Sequence, residues 1–141
     1  MSRHETADSL HSGMVRLMKK VAMADRDAGV SPARLSVLAV LTFGGPRNIG
    51  GLSVIERVKP PTMTNLIKGM EAEGFVRRER VGEDARQSRI AVTKKGETLL
   101  QKARQRRLEV LKELLEPLSE RDHRTLAEAS RILLKMAELS A

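Results

Sequence analysis

The placement of helix-ending residues constrains this chain more than any other feature. Gly44-Gly45-Pro46, Pro60-Pro61, Gly74 and Gly82 follow one another closely through the middle of the sequence, so no helix there can be long. Between Pro46 and Pro60 only a short helix over about 49–58 fits, with Leu52, Ile55 and Val58 as its apolar residues and Gly50-Gly51 weakening its start. Proline fixes φ near the helical value, and its missing N–H costs nothing in a first turn. Pro60-Pro61 therefore ends that helix and begins another, which runs to about Glu73. Phe75 to Val81 and Ser88 to Val92 are short β-compatible runs flanking Gly82-Glu83-Asp84-Ala85-Arg86-Gln87, the pattern of a β-hairpin. Short helix, tight turn, second helix and basic hairpin, in that order, predict a winged helix-turn-helix.

Longer helices flank this unit. Leu10, Met14, Leu17, Val21, Ala24 and Ala28 recur at the spacing of one helical face, predicting a first helix over about Ser9 to Ala28 with Gly29 as its stop. Ser31 caps and Pro32 opens a second helix to Phe43, the most apolar of the chain and the one expected to be most buried. After Thr93 a long charged amphipathic helix carries Leu99, Leu100, Ala103, Leu108, Leu111, Leu114 and Leu115 up to Pro117. Ser119 then caps a last helix with Leu126, Ala129, Leu133, Met136 and Ala137 on one stripe. The expected fold is mainly α with a small β-hairpin wing. A winged helix-turn-helix region over 31–96 is flanked by an N-terminal helix (1–30) and C-terminal helices (97–141), all in one compact domain.

Lys and Arg number 26 against 18 Asp and Glu, a formal charge of +8 that draws the molecule to a polyanion. With 0 Cys, a disulfide framework, a thiolate zinc site and a thiol redox switch are all excluded. Trp and Tyr are absent and the only aromatic residues are Phe43 and Phe75, so the stacking platforms of single-strand binders are missing. No apolar run approaches the ~20 residues of a membrane span, and the polar start of the chain has no signal-peptide core, so no membrane partner is expected and the cytoplasm is the expected location. The histidines are confined to the N-terminal segment and His123. No nucleophile, dinucleotide or kinase motif accompanies them, which argues against an enzyme and against a cofactor. His4, Asp8 and His11 share a helical spacing, yet a frayed, solvated terminus explains them better than a metal site.

Helix arithmetic on 62–73 puts Met63, Leu66, Ile67 and Met70 on the core side. Thr64, Asn65, Lys68, Gly69 and Ala72 fall on the outer side, with Thr62 at its edge. A recognition helix needs such a front of hydrogen-bonding groups for base edges, and Asn65 suits the bidentate contact to adenine. Gly69 costs about 1 kcal/mol relative to Ala in a helix interior but keeps the outer face low enough to sink into a groove. Arg77, Arg78, Arg80, Arg86 and Arg89 crowd the hairpin, far more charge than a solvated turn requires.

At this point the resemblance is specific. Asp84-Ala85-Arg86-Gln87-Ser88-Arg89-Ile90-Ala91-Val92-Thr93-Lys94-Lys95-Gly96 is similar to the D-x-R-x(6)-T-x-x-G wing signature of the MarR family, and Pro60 to Ile67 resembles the start of that family's recognition helix. The resemblance implies that Arg86 reaches into the minor groove with Asp84 as its buttress, and that Thr62, Thr64, Asn65 and Lys68 lie over the major groove of double-stranded DNA. Lys59, Arg77, Arg78 and Arg89 are then the phosphate contacts. Lys59 departs from the family's small capping residue, exchanging a cap for a cation, and Gly50-Gly51 is a second departure.

The apolar faces of the first and last two helices exceed what one small domain can cover, which points to a homodimer. Two-fold symmetry would set the recognition helices one DNA turn apart, about 34–36 Å, on a roughly palindromic site. The resemblance further implies repression and a small-molecule effector between the dimerising helices and the wing domain. The rival reading is a non-specific DNA-packaging or architectural protein, which holds duplexes by their phosphates alone.

Overall fold

The computed structural model describes residues 1–82 and 88–139. Its elements in order are α1 (Arg3–Asp27), α2 (Pro32–Gly44), α3 (Ile49–Glu56), α4 (Pro60–Ala72), β1 (Val76–Arg80), β2 (Ser88–Val92), α5 (Lys94–Leu115) and α6 (Glu120–Ala137). The chain forms two compact units, Met1–Arg107 and Leu108–Ala141.

In the first unit α1 starts well before the expected Ser9. Ser2 Oγ accepts from the Glu5 N–H at 3.1 Å while the Ser2 N–H donates to Glu5 Oε2 at 2.6 Å, a reciprocal capping box. The Ser2 backbone N–H, and then its side chain, holds the Glu5 carboxyl below the usual carboxylate range. The segment expected to fray is therefore helical, and His4, Asp8 and His11 are exposed residues of α1. Among the described residues no group of three or more His, Cys, Asp or Glu could hold a metal ion, and no helix is long and apolar enough to cross a membrane.

The core is built on α2, whose Val37, Leu38 and Leu41 are buried against Leu52 of α3, Met63, Ile67 and Met70 of α4, and Val76 and Ile90 of the hairpin. Ser31 Oγ accepts from the Arg34 N–H at 3.4 Å and Pro32 occupies the first turn of α2, as expected. The Gly50-Gly51 start of α3 is compensated by Asn48, whose Oδ1 accepts from the Gly51 N–H at 2.6 Å. α3 buries Leu52 and Ser53, whereas Ile55 and Val58 of its predicted apolar set stay exposed at 45% and 37%.

The hairpin pairs antiparallel from Val76↔Val92 to Arg80↔Ser88. Arg47 adds an isolated bridge to Ile90, with N–H to carbonyl bonds of 3.0 and 2.7 Å in the two directions, so the free edge of β2 is partly paired.

One junction ties the end of α4, both strands and the start of α5 together. Thr93 Oγ1 donates to the Gly74 carbonyl at 2.5 Å and accepts from the Gly96 N–H at 3.1 Å, and the Thr93 N–H donates to the Phe75 carbonyl at 3.1 Å. Lys95 Nζ adds a bond to the Glu73 carbonyl at 2.6 Å and lies 4.9 Å from the centre of the Phe75 ring. Gly96 is buried, and a methyl group there would run into the Phe75 carbonyl oxygen and lie 2.9 Å from Val92 Cγ2. The Thr93-x-x-Gly96 spacing thus has a steric and a capping cause.

A second tie secures α1: Asp25, 3% exposed, accepts from Arg107 Nε at 3.0 Å and from Nη2 at 2.8 Å. A buried carboxylate is costly unless paired in this way.

The second unit holds the remainder of α5 and α6. Ser119 Oγ accepts from the Asp122 N–H at 3.1 Å, and Glu120 and Asp122 complement the positive end of the α6 dipole. No residue of α6 is buried, and its apolar stripe, Leu126, Ile132, Leu133, Leu134 and Met136, is open to solvent.

Gly96→Ala is expected to destabilise the protein by about 2–4 kcal/mol, because neither backbone nor core can yield at that point. Urea unfolding followed by circular dichroism checks this; a midpoint within error of the unaltered protein contradicts the junction's role.

Candidate nucleic-acid interface

α4 begins without a side-chain cap, because the residue at its N-cap is Lys59, with extended backbone at φ −70 and ψ 146. The two prolines explain why this is tolerated. They carry no N–H, and the Met63 N–H closes on the Lys59 carbonyl at 3.1 Å, so few donors remain for a cap to satisfy.

The two faces of α4 differ sharply. Met63, Ile67 and Met70 are completely buried, Leu66 packs partly buried against the same core, and Thr62, Asn65 and Lys68 are exposed on the other side. Thr64 is half-buried at the flank rather than on the open front. Gly69 also departs from its expected part. It lies at the opposite flank beneath Arg34 of α2, where a methyl group would come 3.0 Å from Arg34 Nη2, and Arg34 passes over it to pair with Glu73. The glycine makes room for an α2–α4 ion pair; a helical wheel of α4 alone contains no sign of it.

On the hairpin, Arg77, Arg78 and Arg89 are all exposed, but their surroundings differ. Arg77 Nη1 pairs with Glu79 at 2.6 Å, and Arg89 stands across from Glu79 in the strand register, on the same face of the hairpin. Arg78 points to the other face, where its Nε lies 3.2 Å from Glu71 of α4 and links the hairpin to the helix. Arg86 and Asp84 lie outside the described residues. Sequence reasoning passed over Arg34, Glu71 and Arg57, the last holding the turn between α3 and α4.

A profile of the MarR family matches residues 28–87. An uncharacterized HTH-type transcriptional regulator of Mycobacterium leprae is 33% identical over 134 residues, covering 95% of this chain and 94% of the relative. The chain belongs to the MarR family. Its fold agrees with that assignment: a transcriptional regulator from Thermotoga maritima, known from its crystal structure, superimposes with a TM-score of 0.80 at 26% identity over 96% of both chains. A mutant of Staphylococcus aureus MepR bound to an oligodeoxyribonucleotide shares the fold, with a TM-score of 0.70 at 16% identity over 98% of this chain and 100% of that one.

As a MarR protein the chain is a DNA-binding transcriptional regulator, with α3 and α4 as its helix-turn-helix and the β1–β2 hairpin as its wing. Lys59→Ser is expected to supply the missing cap to the Thr62 N–H and stabilise the fold by about 0.5–1 kcal/mol. Thermal unfolding checks this, and an unchanged or lower Tm would show that the double proline leaves no donor to cap.

Proposed function

We propose that this MarR protein is a sequence-specific repressor that binds a pseudo-palindromic site on double-stranded DNA as a homodimer. The observation that carries the reading is the division of α4 into a completely buried back and an exposed polar front of Thr62, Asn65 and Lys68. A helix held this rigidly can present hydrogen-bonding groups to base edges at fixed positions. In this reading α4, over about 60–73, enters the major groove, with Asn65 as the main base reader and Thr64 reaching from the flank. The wing, over about 76–92, follows the minor groove with Arg86 at its tip and Asp84 beside it, while Lys59, Arg77, Arg78 and Arg89 meet phosphates. The oligodeoxyribonucleotide bound by the Staphylococcus aureus relative of the same fold supports DNA as the ligand.

Dimerisation is supported by apolar surface that each unit leaves open. α1 exposes Met18 and Met23 at 59% and 56%, and α6 exposes Leu134 and Met136 at 68% and 50%. Stripes of this kind usually mark an interface. The functional division follows: 1–30 and 97–141 pair the subunits, and 31–96 reads DNA. Two-fold symmetry then sets the spacing of the half-sites. Acting on chromosomal DNA, the protein works in the cytoplasm and catalyses no reaction.

A small-molecule effector is supported by a cavity of about 270 Å³ between the end of α2 and α5, lined by Thr42, Phe43, Glu97, Leu100, Gln101 and Arg104. It combines apolar walls with the Thr42 hydroxyl, which is buried without a hydrogen-bond partner among the described residues. A ligand there would sit between the DNA-reading region and a dimerising helix and would shift the dimer between spacings it binds unequally.

Arg86→Ala is expected to weaken binding to duplex DNA by at least tenfold, with helicity and dimer mass unchanged, since it removes a charge from the narrow groove where the potential is deepest. Asn65→Ala, measured in parallel by fluorescence anisotropy, is expected to relax the preference at one base position in each half-site, worth roughly 1–3 kcal/mol. Undiminished affinity in the first variant removes the minor-groove contact, and an unchanged base preference in the second removes Asn65 from the readout.

A further inference from the structure

The turn between α3 and α4 contains a backbone conformation that its residue does not suit. Arg57 has φ 55 and ψ 43, the left-handed region, and is the one non-glycine residue with positive φ among those described. At the other four such positions, 29, 45, 74 and 82, the chain uses glycine. The geometry ends α3: the Arg57 N–H turns back to the Val54 carbonyl at 3.3 Å and the Val58 N–H to the Ser53 carbonyl at 3.1 Å. A helix stop of this kind is ordinarily a glycine, because any Cβ is disfavoured there.

Among the described residues nothing offsets this disfavoured choice. The Arg57 side chain is exposed and makes no hydrogen bond or ion pair with any described residue, so it contributes no cross-link, no cap and no burial. Its neighbour in sequence does find a partner: Glu56 accepts from Ser36 Oγ at 2.9 Å. A strained position held by a cation with no partner among the described residues is better explained by something the protein binds than by the fold. Arg57 is two residues from Lys59, also exposed, and on the turn that delivers the front of α4.

We propose that Arg57 is a DNA-phosphate contact, retained in an unfavourable backbone conformation because its guanidinium grips the duplex backbone beside the major groove entered by α4. This rests on the DNA reading above and adds to it a residue that trades stability for affinity. The guanidinium suits the task, since it offers a phosphate two parallel N–H donors and remains charged at every relevant pH. A phosphate contact positions the protein without reading sequence, so its loss should weaken all duplexes alike.

Arg57→Gly separates the two sides of the trade. Relief of the left-handed Cβ should raise Tm by about 2–5 °C. Loss of the contact should weaken binding of preferred and scrambled duplexes by a similar factor, roughly tenfold. The slope of log affinity against log salt should become shallower by about 1 for each subunit bound. Arg57→Asn, which tolerates the same φ without the charge, should weaken binding in the same way, and Arg57→Lys should recover part of it. If the unaltered protein binds duplex DNA and Arg57→Gly binds it as tightly with the same salt slope, the phosphate role is overturned while the DNA reading stands. If the unaltered protein binds no duplex at all, the DNA reading fails and the inference falls with it.

Discussion

The arrangement of the DNA-reading parts depends on the contact between Gly96 and the Phe75 carbonyl. Because position 96 has no Cβ, the first turn of α5 can press against the backbone that leaves α4. Thr93 then bonds in one direction to Gly74 and in the other to Gly96. Four elements meet there: the end of α4, the start of β1, the end of β2 and the start of α5. Their backbone groups satisfy one another, so the angle between helix and wing is set by hydrogen bonds and steric fit, not by a loop. Lys95, reaching the Glu73 carbonyl, and Arg34, pairing with the Glu73 carboxylate, hold the same helix end from two further directions.

Glutamates hold two of the hairpin's arginines, Arg77 through Glu79 and Arg78 through Glu71. Exposed pairs of this kind contribute little stability, about 0–1 kcal/mol each. Their more important effect is to order long side chains on the hairpin and beside α4. The α4 front carries a single cation, Lys68, among neutral hydrogen-bonding groups, with Lys59 and Arg57 before it in the turn. In the proposed reading, hydrogen-bonding groups on the helix with cations around it match the usual division between contacts that specify and contacts that position.

Much of this was legible in the sequence because the decisive signals are local. Ser31-Pro32, Pro60-Pro61 and Gly74 mark helix limits through their own backbone chemistry, and the period of Met63, Ile67 and Met70 reveals the buried face of α4 without reference to any neighbour. The reading ran out where a partner from elsewhere in the chain decides the outcome. Gly69 reads as a groove-facing gap until Arg34 arrives from α2, and the Arg47–Ile90 bridge joins segments far apart in sequence. The Ser2–Glu5 capping box is local and readable, but it lies ahead of Leu10, where the apolar period begins, so periodicity offers no guide to it. Arg57 looks ordinary as a letter; only its dihedral angles set it apart.

The central claim is that an exposed α4 front on a rigid support reads base sequence, and selection from a randomised duplex pool tests it most directly. The enriched duplex and a scrambled version are titrated with the protein by fluorescence anisotropy across a series of salt concentrations. The account predicts a two-fold-symmetric enriched motif and a preference over scrambled DNA of roughly 10³ or more that persists as salt rises. No enriched motif, with equal affinity for both duplexes that vanishes steeply with salt, would contradict it and identify a protein that holds DNA by its phosphates alone.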